Sequence, residues 1–165
     1  MSARNTLTVT TPNDLEIVVT REFDAPRDLV WQTMTKPDML RRWLFGPPGW
    51  EMTRCEDEQK VGGGFRWEWR GPDGAVIRMH GVYREISPPA RTVRTEIFEV
   101  EPGPPMGEQL ATMELAEKGD RTVLTITLRY ESTAARDGAL ASGMEHGMAA
   151  SYDKLEELLA ASPDR

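Results

Sequence analysis

The sequence predicts an α+β domain in which a curved antiparallel sheet is closed by a long C-terminal helix, with two short helices following the first strand. Three observations predict it. Residues 50–131 form repeated short segments of alternating character separated by turn signals, the pattern of an antiparallel meander. Residues 134–160 carry apolar side chains at spacings of three and four, the period of an amphipathic helix. Between an initial alternating segment and the meander lie two short stretches opened by Pro26 and Pro37, residues suited to a first helical turn. A length of 165 residues fits one domain and suffices to enclose a core. We therefore expect a flexible leader over residues 1–13 and a single domain over 14–161.

The leader is polar and Thr-rich, with no apolar period to bury. In the first predicted strand Leu15, Ile17, Val19 and Phe23 share one parity, as a half-buried strand requires. Leu29, Val30 and Met34 stripe the first helix, and Met39, Leu40, Trp43 and Leu44 the second, which the FGPPG segment at 45–49 must end. In the meander, Phe65, Trp67 and Trp69 alternate with Arg66, Glu68 and Arg70, and RGPDGA at 70–75 has the residues of a hairpin turn. Strands are expected over about 76–86, 93–100, 109–116 and 122–131, parted by SPPAR, EPGPPMG and EKGD. In the last of them Leu124, Ile126, Leu128 and Tyr130 share a face. The tail is predicted as one continuous helix after a Ser132 or Thr133 cap, although Gly138, Gly143 and Gly147 each cost roughly 1 kcal/mol relative to alanine in a helix interior.

Composition narrows the partners. The net charge of -7, from 27 acidic and 20 basic residues, repels nucleic-acid phosphate and anionic lipid. No apolar run is long enough for a membrane span and no signal-like segment opens the chain, so neither nucleic-acid binding nor membrane insertion is expected, and a cytoplasmic setting is. Cys55 stands alone, and His80 and His146 lie far apart, so no metal or other cofactor is expected.

Few side chains suggest catalysis. Cys55 has no neighbouring cation in sequence to lower its pKa. His80 shares parity with Arg78, Val82 and Arg84 on the solvated side of its strand, unless a bulge at Gly81 reverses it; His146 is expected to face solvent beside Glu145. Glu56, Asp57 and Glu58 alternate in direction, do not converge, and read as a solvated loop. Gly62–Gly64 precede a strand and lack a following Lys-Ser/Thr, so they read as a sheet bend and not a phosphate loop. Arg21, Arg66 and Glu68 are expected near the mouth or outer face; one of them turned inward would fix a polar ligand group. No catalytic residue is assigned.

The segments EIVVTREFDAPRDLVWQTMTKPDMLRRWLFGP, VGGGFRWEWRGPDG, HGVYREISPPARTV and GMEHGMAASYDKLEELL carry a resemblance. With Pro26, Trp43, Gly46, Pro47, Gly63, Gly64, Gly74, Gly81, Pro89 and Leu155 in order and at fitting spacing, the chain resembles the START-like (SRPBCC) superfamily. Within it, the chain is similar to bacterial proteins like the C-terminal domain of the activator of the heat-shock protein 90 ATPase. The resemblance implies a helix-grip fold, with a cavity between the sheet and the last helix, and does not by itself imply a reaction. Where that family commonly has a tryptophan in the last helix, this chain has Met148.

In such a fold, parity assigns the cavity lining: Phe65, Trp67, Trp69, Ile77, Met79 and Tyr83 from the first strands of the meander, Leu124, Ile126 and Leu128 from the last, Met144, Met148 and Tyr152 from the helix. Trp43, with Phe45 and Trp50, is placed at a lid over one end. An aromatic and Met-rich lining favours a small apolar or aromatic, lipid-like ligand. The same residues packed solidly would make an ordinary core. Two further readings follow from the resemblance: an interaction module with a chaperone partner in stress response, and a cyclase-like or ring-opening enzyme. For the enzyme, the sequence displays no convergent His, Asp and Tyr set. A homodimer through an exposed sheet edge or the lid is compatible with the pattern.

Overall fold

The computed structural model describes residues 6–44, 49–101, 103 and 107–162. Its elements are β1 (Thr8–Thr10), β2 (Glu16–Phe23), α1 (Arg27–Thr35), α2 (Pro37–Trp43), β3 (Glu51–Asp57), β4 (Gly64–Arg70), β5 (Val76–Ser87), β6 (Arg91–Glu101), β7 (Glu108–Lys118), β8 (Arg121–Arg129), α3 (Thr133–Ala141) and α4 (Met144–Ala161). The strands make one antiparallel sheet in the order β1-β2-β8-β7-β6-β5-β4-β3, so the meander is six strands long and returns its last strand beside β2. This is the predicted α+β helix-grip architecture. Among the described residues no helix is long and apolar enough to cross a membrane.

Alternation decides which side of the sheet is inner. On β2, Ile17, Val19, Arg21 and Phe23 are buried while their neighbours are only partly so; on β8, Thr122, Leu124, Ile126 and Leu128 follow the same rule. Directly opposed residues of antiparallel strands share a face. The register therefore carries the inner face across the sheet through Ala111, Met113 and Leu115 of β7, Arg94, Glu96 and Phe98 of β6, Ile77, Met79 and Tyr83 of β5, and Phe65, Trp67 and Trp69 of β4. At Gly81 a Cβ would land on the carbonyl oxygen of Thr95, so β5 and β6 approach there as only glycine allows. His80 keeps its expected outer parity.

The helices close this face. α1 buries Val30, Trp31, Thr33 and Met34, and α2 buries Leu40 and Trp43. α4 buries Ser151, Tyr152, Leu155 and Leu159, with both leucines wholly inaccessible. Burial of this kind contributes about 25 cal/mol per Å2 of apolar surface, and these positions join the strands in one core.

Two sequence expectations are corrected. The tail is two helices: Gly143 adopts φ 85, a left-handed conformation that ends the α3 segment and opens α4, and α3 buries no residue. Glycine adopts that conformation at little cost, so apolar spacing alone did not mark the break. Within the expected leader, Thr8–Thr10 pairs with Val18–Thr20 as β1. Its backbone satisfies the free edge of β2, a reason for order that apolar periodicity does not register.

Candidate functional site

The thirteen side chains predicted to line a cavity fall into two groups. Trp43, Phe65, Trp67, Trp69, Tyr83, Leu124, Ile126, Leu128 and Tyr152 are buried, and Ile77, Met79, Met144 and Met148 are partly covered. The aromatics touch: Phe65 lies 4.7 Å from Trp67 and 5.7 Å from Tyr83, ring centre to ring centre, and Trp67 meets Trp69 edge-on at 6.2 Å. Trp43 belongs to the interior and not to an exposed lid. Its indole donates to the Thr33 carbonyl at 3.0 Å and it stacks on Tyr152 at 5.8 Å. Trp50 is half-buried beside Gly71, while Phe45 and most of the FGPPG segment lie outside the described residues.

Between Trp67 and β6 the inner face is less completely covered. Met79 stands opposite both Trp67 and Phe98, and Ile77 opposite both Trp69 and Val100. Ile77, Met79 and Phe98 are half-buried, and Val100 is 36% exposed. The buried residues of α4 begin at Ser151, and none falls in its first two turns. Two rows of apolar side chains are thus left as a partly open platform. Two grooves lie elsewhere. One of about 600 Å3 is bordered by Leu7, Arg21, Leu140, His146 and Asp153, and one of about 340 Å3 by Arg41, Trp50, Glu51 and Met52.

Beside the platform sits a polar group that the sequence did not disclose. Asp57 stands opposite Phe65 on the inner face. Its Oδ1 accepts from the Tyr83 hydroxyl at 2.7 Å and from Gln59 Nε2 at 2.7 Å, and its Oδ2 accepts from Trp67 Nε1 at 3.2 Å. Gln59 also bonds the Tyr83 oxygen at 2.9 Å. One strand away, the Arg94 guanidinium lies 4.6 Å from the Phe65 ring centre and 4.7 Å from that of Trp67, and its Nε and Nη2 reach Glu96 Oε2 at 2.9 and 2.8 Å. Glu96 completes its set by accepting from Gln109 at 2.8 Å. Aromatic faces and a carboxylate are the two partners that make a desolvated guanidinium affordable.

Burial pushes the Asp57 carboxyl above the usual range, against the lowering influence of its bond from Tyr83 and of the Arg94 charge. Burial likewise raises the Tyr83, Tyr130 and Tyr152 phenols, so all three stay neutral donors. Desolvation works against the charge on Arg94, but Glu96 outweighs it and the guanidinium stays protonated. Burial raises the Cys55 thiol and so favours its protonated form.

Arg21 is the second inward arginine. It turns inward from β2, not outward; its Nη1 meets Asp153 of α4 at 2.7 Å and its Nη2 lies 3.8 Å from Glu156. Arg66 and Glu68 do lie outside; Glu68 pairs with Arg78 at 3.0 Å, and Arg78 also pairs with Glu101. His80 joins this outer lattice through Glu99 at 2.9 Å, and His146 is exposed beside Glu145. Among the described residues no three His, Cys, Asp or Glu side chains group as metal ligands would.

Sequence reasoning missed Asp57, Arg94, Glu96, Phe98 and Val100. In TVRTEIFEV the apolar Val93 and Ile97 compete with Arg94, Glu96 and Phe98 for the inner side, and on composition the wrong set wins. Asp57 read as a solvated loop residue because Glu56 and Glu58 flank it; the alternation argument itself holds, since both are exposed while Asp57 is not. The Asp57–Tyr83 contact brings an acid and a phenol together, with no histidine beside them among the described residues. The available signal was register: Asp57 is two residues beyond Cys55 and faces the Phe65 row.

Comparison with known proteins follows the fold closely. The sequence pattern of the family described as "Activator of Hsp90 ATPase homolog 1-like protein" matches residues 24–160. A crystal structure from Rhodobacter sphaeroides is 32% identical with TM-score 0.86, the match covering 95% of this chain and 99% of that one. A solution structure from Arthrobacter aurescens is 29% identical with TM-score 0.80, covering 95% and 93%. A Mycobacterium smegmatis protein, 24% identical with TM-score 0.83 over 94% and 98%, shares the fold. No curated protein matches the sequence.

Proposed function

The chain belongs to the Activator of Hsp90 ATPase homolog 1-like family and has its START-like fold, and from that premise we propose that it binds one small apolar or aromatic molecule on the inner face of its sheet. The fold commonly holds hydrophobic ligands, and one observation carries the reading here. Beside the buried Trp67 and Trp69, the inner-face residues Ile77, Met79 and Phe98 are only half covered and Val100 is 36% exposed, whereas Ile17, Val19, Phe23 and Leu124 toward the other end of the sheet are inaccessible. A flat ring would cover that surface against flexible methionine and aromatic side chains, which adapt to varied shapes.

The test is a thermal-shift and tryptophan-fluorescence titration with a small library of apolar and aromatic compounds. Saturable quenching of Trp67 and Trp69 with a rise in Tm is expected, since a ligand at a hundredfold its Kd stabilises by about 2.7 kcal/mol. No shift with any compound would overturn the reading.

The family description supports a second reading, a chaperone-associated interaction module. Its measure is the ATPase rate of the chaperone with and without this protein, and an unchanged rate counts against it. No reaction is assigned.

A further inference from the structure

The C-terminal helical region has two halves that are held very differently. In the second half Leu155 and Leu159 are inaccessible, Tyr152 stacks on Trp43 and meets Phe23 edge-on at 6.1 Å, and Asp153 and Glu156 take the charge of Arg21. In the first half α3 buries no residue, and the buried residues of α4 begin only at Ser151. Ala135, Ala139, Met144 and Met148 rest on the core and are only partly covered. The Ser132 side chain caps the first turn of α3 by accepting from the Ala135 amide at 3.0 Å, and Arg136 Nη1 donates to the Asn13 carbonyl at 2.6 Å.

The glycines of the first half serve no close packing. At Gly138 and Gly147 an added Cβ would meet nothing within 4 Å, and neither backbone is left-handed. Gly81 is the opposite case, since a Cβ there would strike the Thr95 carbonyl. Gly138 and Gly147 therefore weaken their helices relative to alanine and gain no contact in return. Gly143, at φ 85, forms the joint itself. A helix of nine residues such as α3 is marginal on its own in water, so its order depends on these few contacts. Nor is the space beneath the joint filled: the groove of about 600 Å3 has Leu7 and Arg21 on its sheet side and Leu140, Gly143, His146 and Asp153 on its helix side.

We propose that α3 and the first two turns of α4, residues 133–148, are a hinged cover that opens by bending at Gly143 and Gly147 while residues 151–161 stay docked; resting on the ligand-binding reading, this opening is the ligand's way to the inner face. Opening the first half gives up the Arg136–Asn13 bond and the partial cover of two alanines and two methionines. Opening the second half would expose Leu155 and Leu159 and part Arg21 from its acids. The first therefore opens locally, and the second opens only with the whole domain. Met144 and Met148 are unbranched and adapt their packing as the cover returns.

Hydrogen exchange of the intact protein tests the cover. Amides of 134–148 are expected to exchange at least about a hundredfold faster than those of 152–160. Leu155→Ala should speed 152–160 by at least about thirtyfold and leave 134–148 unchanged, because local opening does not disturb Leu155; Leu155→Val serves, with a smaller effect, if that variant does not fold. The double variant Gly138→Ala with Gly147→Ala, which nothing obstructs, should slow 134–148 by about 25-fold, about fivefold for each alanine, equivalent to about 1 kcal/mol apiece. In stopped-flow fluorescence with the uncharged apolar probe 1-N-phenylnaphthylamine, the same double variant should bind and release about 25-fold more slowly, with Kd within about twofold of the parent. Equal protection across 134–160, a Leu155 substitution that speeds both halves alike, or alanines that do not slow 134–148 would overturn the cover. Unchanged probe association in a double variant whose exchange has slowed would overturn the entrance alone. A probe that does not bind would sink the entrance together with the ligand reading and leave the hinged cover standing on the exchange data.

Discussion

Two arginines point to the same side of one sheet and are held in different ways. Arg21 on β2 reaches across to Asp153 and Glu156 of α4, so its charge ties the sheet to the helix that closes it. Arg94 on β6 is matched by Glu96, two residues along its own strand, and rests on Phe65 and Trp67; both of its ion-pair and ring partners belong to the sheet. Around Arg21 the inner face is sealed by Ile17, Val19, Phe23 and Leu124, all inaccessible. Around Arg94 it opens onto half-covered Met79 and Phe98. A buried charge whose partner lies on another element is part of the closure. One whose partner lies on the same strand leaves the opposite wall free to be a ligand.

That contrast can be broken from either side. Leu155→Ala, in the sealed half, should cost about 2–5 kcal/mol in urea unfolding, because a wholly buried leucine leaves a cavity as well as losing its transfer energy. Arg21→Met should cost about 1–3 kcal/mol by the same measurement; Asp153 is half exposed and rehydrates, so the loss stays below that of a fully buried pair. The double change Arg94→Met with Glu96→Gln should leave stability nearly unchanged, within about 1 kcal/mol, since exchanging a buried pair for matched neutral groups is often neutral. Ile77→Ala, on the open platform, should cost no more than about 1 kcal/mol, as partly exposed positions do, while weakening every apolar probe. An equal loss at Ile77 and Leu155 would erase the distinction between the halves.

The smallest expected effect is a pH dependence. The folded Asp57 carboxyl holds its proton more tightly than the unfolded one, because burial disfavours its charged form. In the interval between the unfolded and folded pKa the native state binds more protons, so this group's contribution to stability falls as pH rises through that interval and is most favourable at its acid end. Denaturation of the parent and of Asp57→Asn across the acid range should show the parent's relative stability declining with rising pH. A relative stability that climbs instead would contradict the raised carboxyl.

The architecture was legible because alternation and turn chemistry agree with it along most of the chain. Ile17, Val19 and Phe23, the Phe65–Trp69 face and Leu124–Leu128 all lie on the side that parity assigns. Of the apolar platform, Trp67, Trp69, Ile77 and Met79 were legible for the same reason, while Phe98 and Val100 were not. The polar half of the candidate site was not, because a half-buried, inward-facing Arg94 or Asp57 looks identical in sequence to a solvated one until the partners across the sheet are known. Asp57, the aromatic rings and the Tyr83 hydroxyl come from β3, β4 and β5, and only register brings them beside Arg94 and Glu96 of β6. The break at Gly143 escaped notice because apolar spacing resumes in phase beyond it.

The pairing of β2 with β8 has a consequence for assembly in time. Phe23 meets Thr122 and Ile17 meets Leu128 across about a hundred residues of intervening chain, so during synthesis the apolar face of β2 waits for nearly the last strand to emerge. Closing so long a loop is slow, and until it closes an unpaired strand edge stays open to aggregation. A nascent chain halted before β8 should therefore be held by a trigger-type chaperone or be degraded, and release should coincide with the appearance of residues 121–129 and the helix that follows them.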